Sequence, residues 1–341
     1  MKLAMNLGTR SYDIILKDGS LARASQLCNL NRKVLVVTDD GVPPEYAQTL
    51  LQQCGQGHLL VVPQGEGSKS VAVWQTVLAR LLQLDFGRSD AVAAVGGGVV
   101  GDLAGFAAAS YMRGIDFFQF PTTTLSQVDS SIGGKVAINL AGTKNIVGAF
   151  YQPSLVVVDP ATLTTLPRRQ FAAGLAEALK AGLTGSPELF EIFEKEDIDE
   201  NLERILFLSL LYKKQIVEQD ETEQGNRMLL NFGHTVGHGI EAACGLGTGA
   251  GGLLHGECVA LGMLPMIESK TLQRRVRAIL KKLGLPLKYS CTPAEIVKHM
   301  QHDKKRSGGK FTVVRVKKVG EGYLESIDFE ELRLLVEGSQ K

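Results

Sequence analysis

Short apolar runs alternate with helical stretches through the first half of this chain. VLVVTD (34–39), HLLVV (58–62), DAVAAV (90–95), FFQF (117–120) and LVVVD (155–159) each read as a buried strand. One helical stretch follows the prolines at 43 and 44, and another runs from Ser70 with apolar residues at 73, 74, 77, 78, 81 and 82. Strands alternating with helices predict parallel βαβ units and a doubly wound sheet. From Pro167 onward the periodicity is mostly helical, in RQFAAGLAEALKAGL, LERILFLSLLYKKQIVEQ, GECVALGMLPMI and RRVRAILKKLG. FTVVRVKKVG (311–320) and GYLESI (322–327) predict one late strand pair. The expected organisation is an α/β domain with a parallel sheet over 1–160, then a mainly α-helical domain over 161–341.

The bulk numbers exclude several classes of partner. A formal net charge of +1 on 341 residues draws the chain to neither nucleic acid nor a membrane surface. No apolar run reaches the roughly 18 residues of a spanning helix, and MKLAMNLGTR lacks the apolar core of a signal peptide. The five cysteines are odd in number and scattered, with no CxxC, which argues for reduced thiols and a cytoplasmic protein. Any anionic ligand must be held by a local cluster of Lys and Arg.

Three features carry chemistry. GGGVVGD (96–102) follows a strand and should open a helix, so Gly96, Gly98 and Gly101 could let a pyrophosphate approach the backbone. It sits in the third βα unit, where the usual dinucleotide fingerprint sits in the first. A tight packing turn, with Asp102 as a helix cap, is the competing reading. Of six histidines, His234, His238 and His255 fall in one glycine-rich region. His234 and His238 are spaced as an i,i+4 ligand pair, although one of them could serve instead in acid–base work. A carboxylate would complete a metal site, and the candidates are Glu177, in an apolar helix, and Glu241 and Glu257, in polar and more open stretches. Cys258 reads as a buried thiol rather than a ligand. Finally, Arg113, Lys135, Lys144, Lys180, Lys213, Arg227, Lys304 and Lys305 sit in apolar or glycine-rich surroundings. So many cations suit a substrate with a phosphate and a carboxylate.

GGGVVGDLAGFAAASYMRGIDFFQFPTT, VDSSIGGKVAIN, KNIVGAFYQP, LTTLPRRQFAAGLAEALK, QDETEQGNRMLLNFGHTVGHGIE, LLHGECVALGM and DKK together resemble the 3-dehydroquinate synthases, members of the sugar phosphate cyclases. The resemblance covers nearly the whole chain. It implies a Rossmann-like NAD-binding domain, a helical metal-binding domain with the active site between them, one zinc or cobalt ion, and a homodimer. The implied metal ligands are Glu177, His234 and His255, which leaves His238 to proton transfer and substrate contact. Implied substrate positions are Asp129, Lys135, Asn145, Lys180, Lys213, Arg227, Asn231 and Lys304, with Arg113 reaching the phosphate from a neighbouring subunit. Implied NAD positions are Asp39, Glu66, Lys69, Gly97, Gly98, Asp102, Thr122, Thr123, Lys135, Lys144 and Thr165. The chain departs from the family at Gly41, at LAGT before Lys144, and in GLGTGAGG (245–252), which lengthens a loop expected to be mobile.

The implied reaction turns 3-deoxy-D-arabino-heptulosonate 7-phosphate into 3-dehydroquinate and phosphate. It passes through transient oxidation by NAD+, phosphate elimination, re-reduction and an aldol closure. The alternatives are a related cyclase of the 2-deoxy-scyllo-inosose or valiolone type, and an NAD- and metal-dependent polyol dehydrogenase.

Overall fold

A computed structural model describes residues 1–245, 252–304 and 310–338, and of 301–304 the backbone alone. Most of GLGTGAGG, together with Lys305, lies outside the described residues. The chain divides into two compact units, Met1–Pro167 and Arg168–Lys341.

The first unit contains, in chain order, β1 (Lys2–Met5), β2 (Tyr12–Leu16), β3 (Lys33–Asp39), α1 (Pro44–Leu51), β4 (Gln56–Val62), α2 (Val71–Gln83), β5 (Ala91–Gly96), α3 (Gly98–Ser110), β6 (Asp116–Pro121), β7 (Lys135–Leu140), β8 (Thr143–Phe150) and β9 (Leu155–Val158). Seven strands form one sheet in the order β1-β2-β9-β6-β5-β3-β4. β1 pairs antiparallel with β2, and the other neighbours are parallel. Both faces are covered, which explains the continuous apolar runs. Leu35 and Val37 of β3, with Val92 and Ala94 of β5, pack towards α2 and α3. Val34 and Val36, with Ala91, Ala93 and Val95, pack on the opposite face against Ala47 and Leu50 of α1. The alternation is the period of two expected of a strand.

The strand order also accounts for the position of the glycine turn. From β3 the chain moves outward to β4, then returns to place β5 on the other side of β3. The direction therefore switches between β3 and β5, and ligands of open α/β sheets bind at the carboxyl ends of strands at such a point. GGGVVGD follows β5 and Asp39 ends β3, so both lie at that switch.

The β1–β2 and β7–β8 hairpins were not legible as strands. β8 is exposed along most of its length and shows no apolar alternation. Asp102 is not the cap of α3, because the helix starts at Gly98 with Gly97 as its N-cap. The break between units falls after Pro167 rather than at 160, since the turn Pro160–Thr165 is tied into the first unit. Gln127 Nε2 donates to Asp159 O and Thr162 Oγ1, and Tyr46 Oη lies 2.9 Å from Thr165 Oγ1.

The second unit holds α4 (Arg168–Thr184), α5 (Pro187–Lys195), α6 (Leu202–Gln219), α7 (His234–Cys244), α8 (His255–Met263), α9 (Lys270–Lys282), α10 (Pro293–Lys304), β10 (Lys310–Lys318), β11 (Glu321–Asp328) and α11 (Phe329–Gly338). β10 and β11 are the expected late pair, antiparallel. Among the described residues, no helix is long and apolar enough to cross a membrane.

The cysteines depart from expectation. Cys244, at the end of α7, is disulfide-bonded to Cys291, ahead of α10, with Cα atoms 5.6 Å apart. Cys28, Cys54 and Cys258 are free thiols. Scattered sequence positions gave no sign of this pair, because the packing of α10 on α7 is what brings the two together. At Gly239 of α7 an added Cβ would lie 2.9 Å from Ile296 of α10. Thiol titration of the unfolded, unreduced chain should find the three free cysteines, and reduction should expose the bonded pair as well. Closing a loop of 47 residues of separation should add about 4 kcal/mol in the chain-entropy account. Urea unfolding with and without reductant measures it, and equal midpoints would contradict the bond.

Candidate active-site clusters

In the second unit the candidate ligands converge because glycines let three helices touch. An added Cβ on Gly256 of α8 would overlap the carbonyl of Ala173 in α4. One on Gly237 of α7 would come within 3.0 Å of the Cys258 carbonyl. Gly233, the N-cap of α7, has φ of 79° and faces Val259 O and Met263 with no room for a side chain. These contacts fix the start of α7, at His234, beside the start of α8, at His255.

Glu177 is at the centre. Its side chain is 1% exposed, and Oε1 lies 3.6 Å from both His234 Nε2 and His255 Nε2. Ligand atoms about 2.1 Å from a tetrahedral cation are about 3.4 Å apart, so this spacing fits one divalent metal. Lys180 Nζ lies 2.5 Å from the other carboxylate oxygen, Oε2. Burial opposes ionisation of Glu177, yet Lys180, His234 and His255 hold its carboxyl well below the usual range. Burial is also the main cause that depresses His234, to about 3. His255 meets the same burial, but hydrogen bonds and charge from Glu177 and Glu241 push it up to about 9.

His238 lies one turn beyond His234, their rings 5.3 Å apart, and it is exposed. A second set of possible ligands, His238, Glu241 and His255, shares His255 with the first. The i,i+4 spacing is thus real, but spacing alone does not select the ligand pair. Glu241 and Glu257 are both buried, not open as their sequence context suggested. Glu257 accepts two bonds from Arg169 of α4, at 2.8 and 2.7 Å, and one from the Leu254 amide, which anchors the start of α8. Arg169 was not singled out from the sequence, and neither was this anchoring role of Glu257.

The expected cations of this unit are mostly internal. Lys180, Lys213 and Arg227 are buried, and Arg227 Nη1 donates to the Glu221 carbonyl. Asn231 is exposed and donates to Glu223 at 2.8 Å. It belongs to the turn Asn226–Asn231, and left-handed Gly233 separates it from α7, so it does not continue the helical stripe of His234 and His238. Lys304 is the last residue of α10.

In the first unit, of the expected cofactor residues, Asp39 ends β3 and Gly97 and Gly98 follow β5. Asp39 accepts from the Gly41 amide, and burial raises its pKa. Added Cβ atoms would lie 3.1 Å from Thr123 Cγ2 at Gly97 and 2.9 Å from Ser130 Oγ at Gly98, so only glycine leaves this surface bare. Among the described residues, buried Ser130 Oγ and Thr38 Oγ1 have no hydrogen-bond partner. Bare backbone beside unsatisfied hydroxyls fits a dinucleotide phosphate. The Thr122 amide bonds Gly96 O, and Thr123 Oγ1 lies 2.9 Å from Ser126 Oγ. Lys69 Nζ pairs with Asp102 at 2.5 Å and also with Asn145 Oδ1. Asn139 Nδ2 donates to Glu66, while its Oδ1 accepts from the Asn145 amide. Asn139 therefore links expected cofactor and substrate positions, and its sequence context gave no signal. Lys135, Lys144, Arg113 and Thr165 are exposed. Asp129 lies in the π-turn Ser126–Ser130, a geometry frequent at functional sites.

Fold and clusters together define the class. A solved 2-deoxy-scyllo-inosose synthase, complexed with carbaglucose-6-phosphate, NAD+ and Co2+, matches with a TM-score of 0.88 at 24% identity, over 99% of this chain and 100% of that one. A 2-epi-5-epi-valiolone synthase from Streptomyces hygroscopicus subsp. jinggangensis, with NAD+ and Zn2+ bound, matches with a TM-score of 0.84 at 26% identity, over 97% of each chain. The fold is that of the sugar phosphate cyclases. Residues 59–173 match the family described as 3-dehydroquinate synthase N-terminal, and residues 174–306 match 3-dehydroquinate synthase C-terminal. The 3-dehydroquinate synthase of Streptococcus mutans serotype c is 41% identical over 99% of this chain and 100% of its own. The chain belongs to the 3-dehydroquinate synthase family.

The pH behaviour of His255 gives a check on the cluster. Its folded pKa of about 9 lies above its ordinary 6.5. The stability it contributes is therefore full below 6.5 and lost as pH rises through about 9. In chelator-treated protein, the gap in melting temperature between wild type and His255→Asn should narrow across that window. A gap independent of pH would contradict the geometry.

Proposed function

We propose that the chain converts 3-deoxy-D-arabino-heptulosonate 7-phosphate to 3-dehydroquinate and phosphate. It would act as a carbon–oxygen lyase of the shikimate route to chorismate and the aromatic amino acids. The observation that carries the reading is the buried Glu177, set at cation-ligand distance from His234 and His255 and backed by Lys180. Those three would hold one divalent ion, zinc or cobalt. NAD+ would lie at the carboxyl ends of β3 and β5, against Asp39, Glu66, Lys69, Gly97, Gly98, Asp102, Thr122, Thr123, Lys144 and Thr165. When bound, NAD+ supplies a transient hydride acceptor and the ion a Lewis acid.

The remaining residues bind and move protons. Lys180, Lys213 and Arg227 are buried cations, and Lys180 pairs with Glu177. A substrate carboxylate and ring hydroxyls give them a use and keep an opened intermediate in one geometry. With Asn231, His238 and Lys304, these cations favour this substrate over those of the 2-deoxy-scyllo-inosose and valiolone cyclases, since carboxylate-free substrates need fewer cations. Lys135, Asn145 and Lys304 are assigned to the phosphate, and Asp129 and Asn231 to the hydroxyls. Asn145 must then exchange its bond from Lys69 for the substrate. His238, exposed beside His234, is assigned to proton transfer and substrate contact. We extend the reading to a cytoplasmic homodimer in which exposed Arg113 serves the neighbouring copy.

One assay separates the competing activities. Incubation with the heptulosonate phosphate and catalytic NAD+ should release phosphate and dehydroquinate in equal amounts without lasting NADH. NADH that accumulates with a polyol would indicate a net dehydrogenase instead. His238→Ala should lower turnover by roughly 10²–10⁴-fold while metal content stays at one per subunit. Loss of metal in that variant would move His238 into the ligand set. Lys135→Ala should raise KM more than it lowers kcat, and unchanged kinetics would remove Lys135 from the phosphate site.

A further inference from the structure

His255 is held through both of its ring nitrogens by carboxylates from two different helices. Nε2 faces Glu177 Oε1 of α4 at 3.6 Å, and Nδ1 lies 3.2 Å from Glu241 Oε2 of α7. His234 is held differently, with Nδ1 3.3 Å from the backbone carbonyl of Phe232. Glu241 is buried and occupies the same helix as His234 and His238, seven and three positions further on. It reaches a histidine at the very first residue of α8, where no preceding turn constrains the ring.

We propose that Glu241 is a positioning residue for the cation site. It accepts the Nδ1 proton of His255, fixes that tautomer, and thereby aims the Nε2 lone pair at the point shared with Glu177 and His234. The inference rests on the metal assignment proposed above. It excludes Glu241 as a ligand, although Glu241, His238 and His255 have donor atoms close enough to form a competing set. One oxygen cannot both accept the His255 proton and take a cation shared with that same nitrogen. Glu177 Oε1 stands at ligand spacing from two histidine nitrogens, and Glu241 Oε2 lies nearer, at hydrogen-bond distance, to His255 Nδ1.

The test is Co2+ binding to chelator-treated full-length protein, read by equilibrium dialysis and by the visible absorption of the bound ion. Glu241→Ala should weaken Co2+ binding by about 10–100-fold. Glu241→Gln keeps an amide oxygen that can accept the Nδ1 proton, so it should retain one Co2+ per subunit and a near-native spectrum, with affinity restored towards wild type. If Glu241→Gln also loses the ion or changes its coordination spectrum, Glu241 is a ligand and the proposal fails. It fails equally if Glu241→Ala binds Co2+ as wild type does. Glu177→Ala is the control for the underlying reading. Undiminished Co2+ binding there would overturn the ligand assignment itself, an outcome distinct from either result at position 241. Circular dichroism of each variant verifies that the helices remain.

Discussion

A carboxylate buried in the middle of a small-residue helix governs the second unit. Removing such a charge from water costs several kcal/mol unless opposite charge meets it. Glu177 lies in FAAGLAEALKAGL, where the neighbours on α4 are almost all Ala, Gly and Leu. Only Lys180, on the same helix, is a local partner, and it engages one oxygen. The other oxygen must be answered from elsewhere, and two histidines from two helices point at it. The close contacts at Gly233, Gly237 and Gly256 follow from that need. With a side chain at Gly256 or Gly237, α8 would stand away from α4 or α7, and the 3.6 Å spacing would be lost.

The first unit resolves a similar problem with a different inventory. Lys69 is buried, and Asp102 and Asn145 surround its ammonium group. Asn139 ties the same network to Glu66. The network draws on α3, on the β7–β8 hairpin and on the turn before α2. Three segments distant in sequence thus meet near the strand ends where the topology reverses. The glycine turn after β5 lies at that same reversal, so its place in the third βα unit is no anomaly.

What was legible in the sequence follows from how each signal arises. Strands buried on both faces announce themselves as unbroken apolar runs, so β3, β5, β6 and β9 were readable. β8, with both faces mostly exposed, left no periodicity to read. The metal cluster was half legible. The i,i+4 histidines were visible, and Glu177 stood out as an acid among apolar residues. Which histidine shares an oxygen with Glu177 depends on α8, whose placement no local pattern encodes. Asp102 looked like a cap because it lies near a helix start, yet its partner is Lys69, in another segment. Asn231, three residues before His234, lies outside α7 because the left-handed Gly233 breaks the helix first. Cys244 and Cys291 were silent, since their meeting depends on helix packing.

Along α7 one helix face carries residues in separate environments. Residues 234, 238 and 241 follow the four-and-three spacing of a single stripe. Sequence periodicity therefore treats them as equivalent. The environment does not. His234 is tied to a backbone carbonyl and loses its charge to burial. His238 opens to solvent. Glu241 is buried against His255, where its charge raises the basicity of that ring. A neutral nitrogen suits a metal, an exposed imidazole suits proton exchange, and a buried carboxylate suits the orientation of a neighbour. Along this stretch the exposure passes from half-buried at His234 to exposed at His238 and buried, against His255, at Glu241. The placement of a residue within that passage, rather than its spacing, decides what it can do.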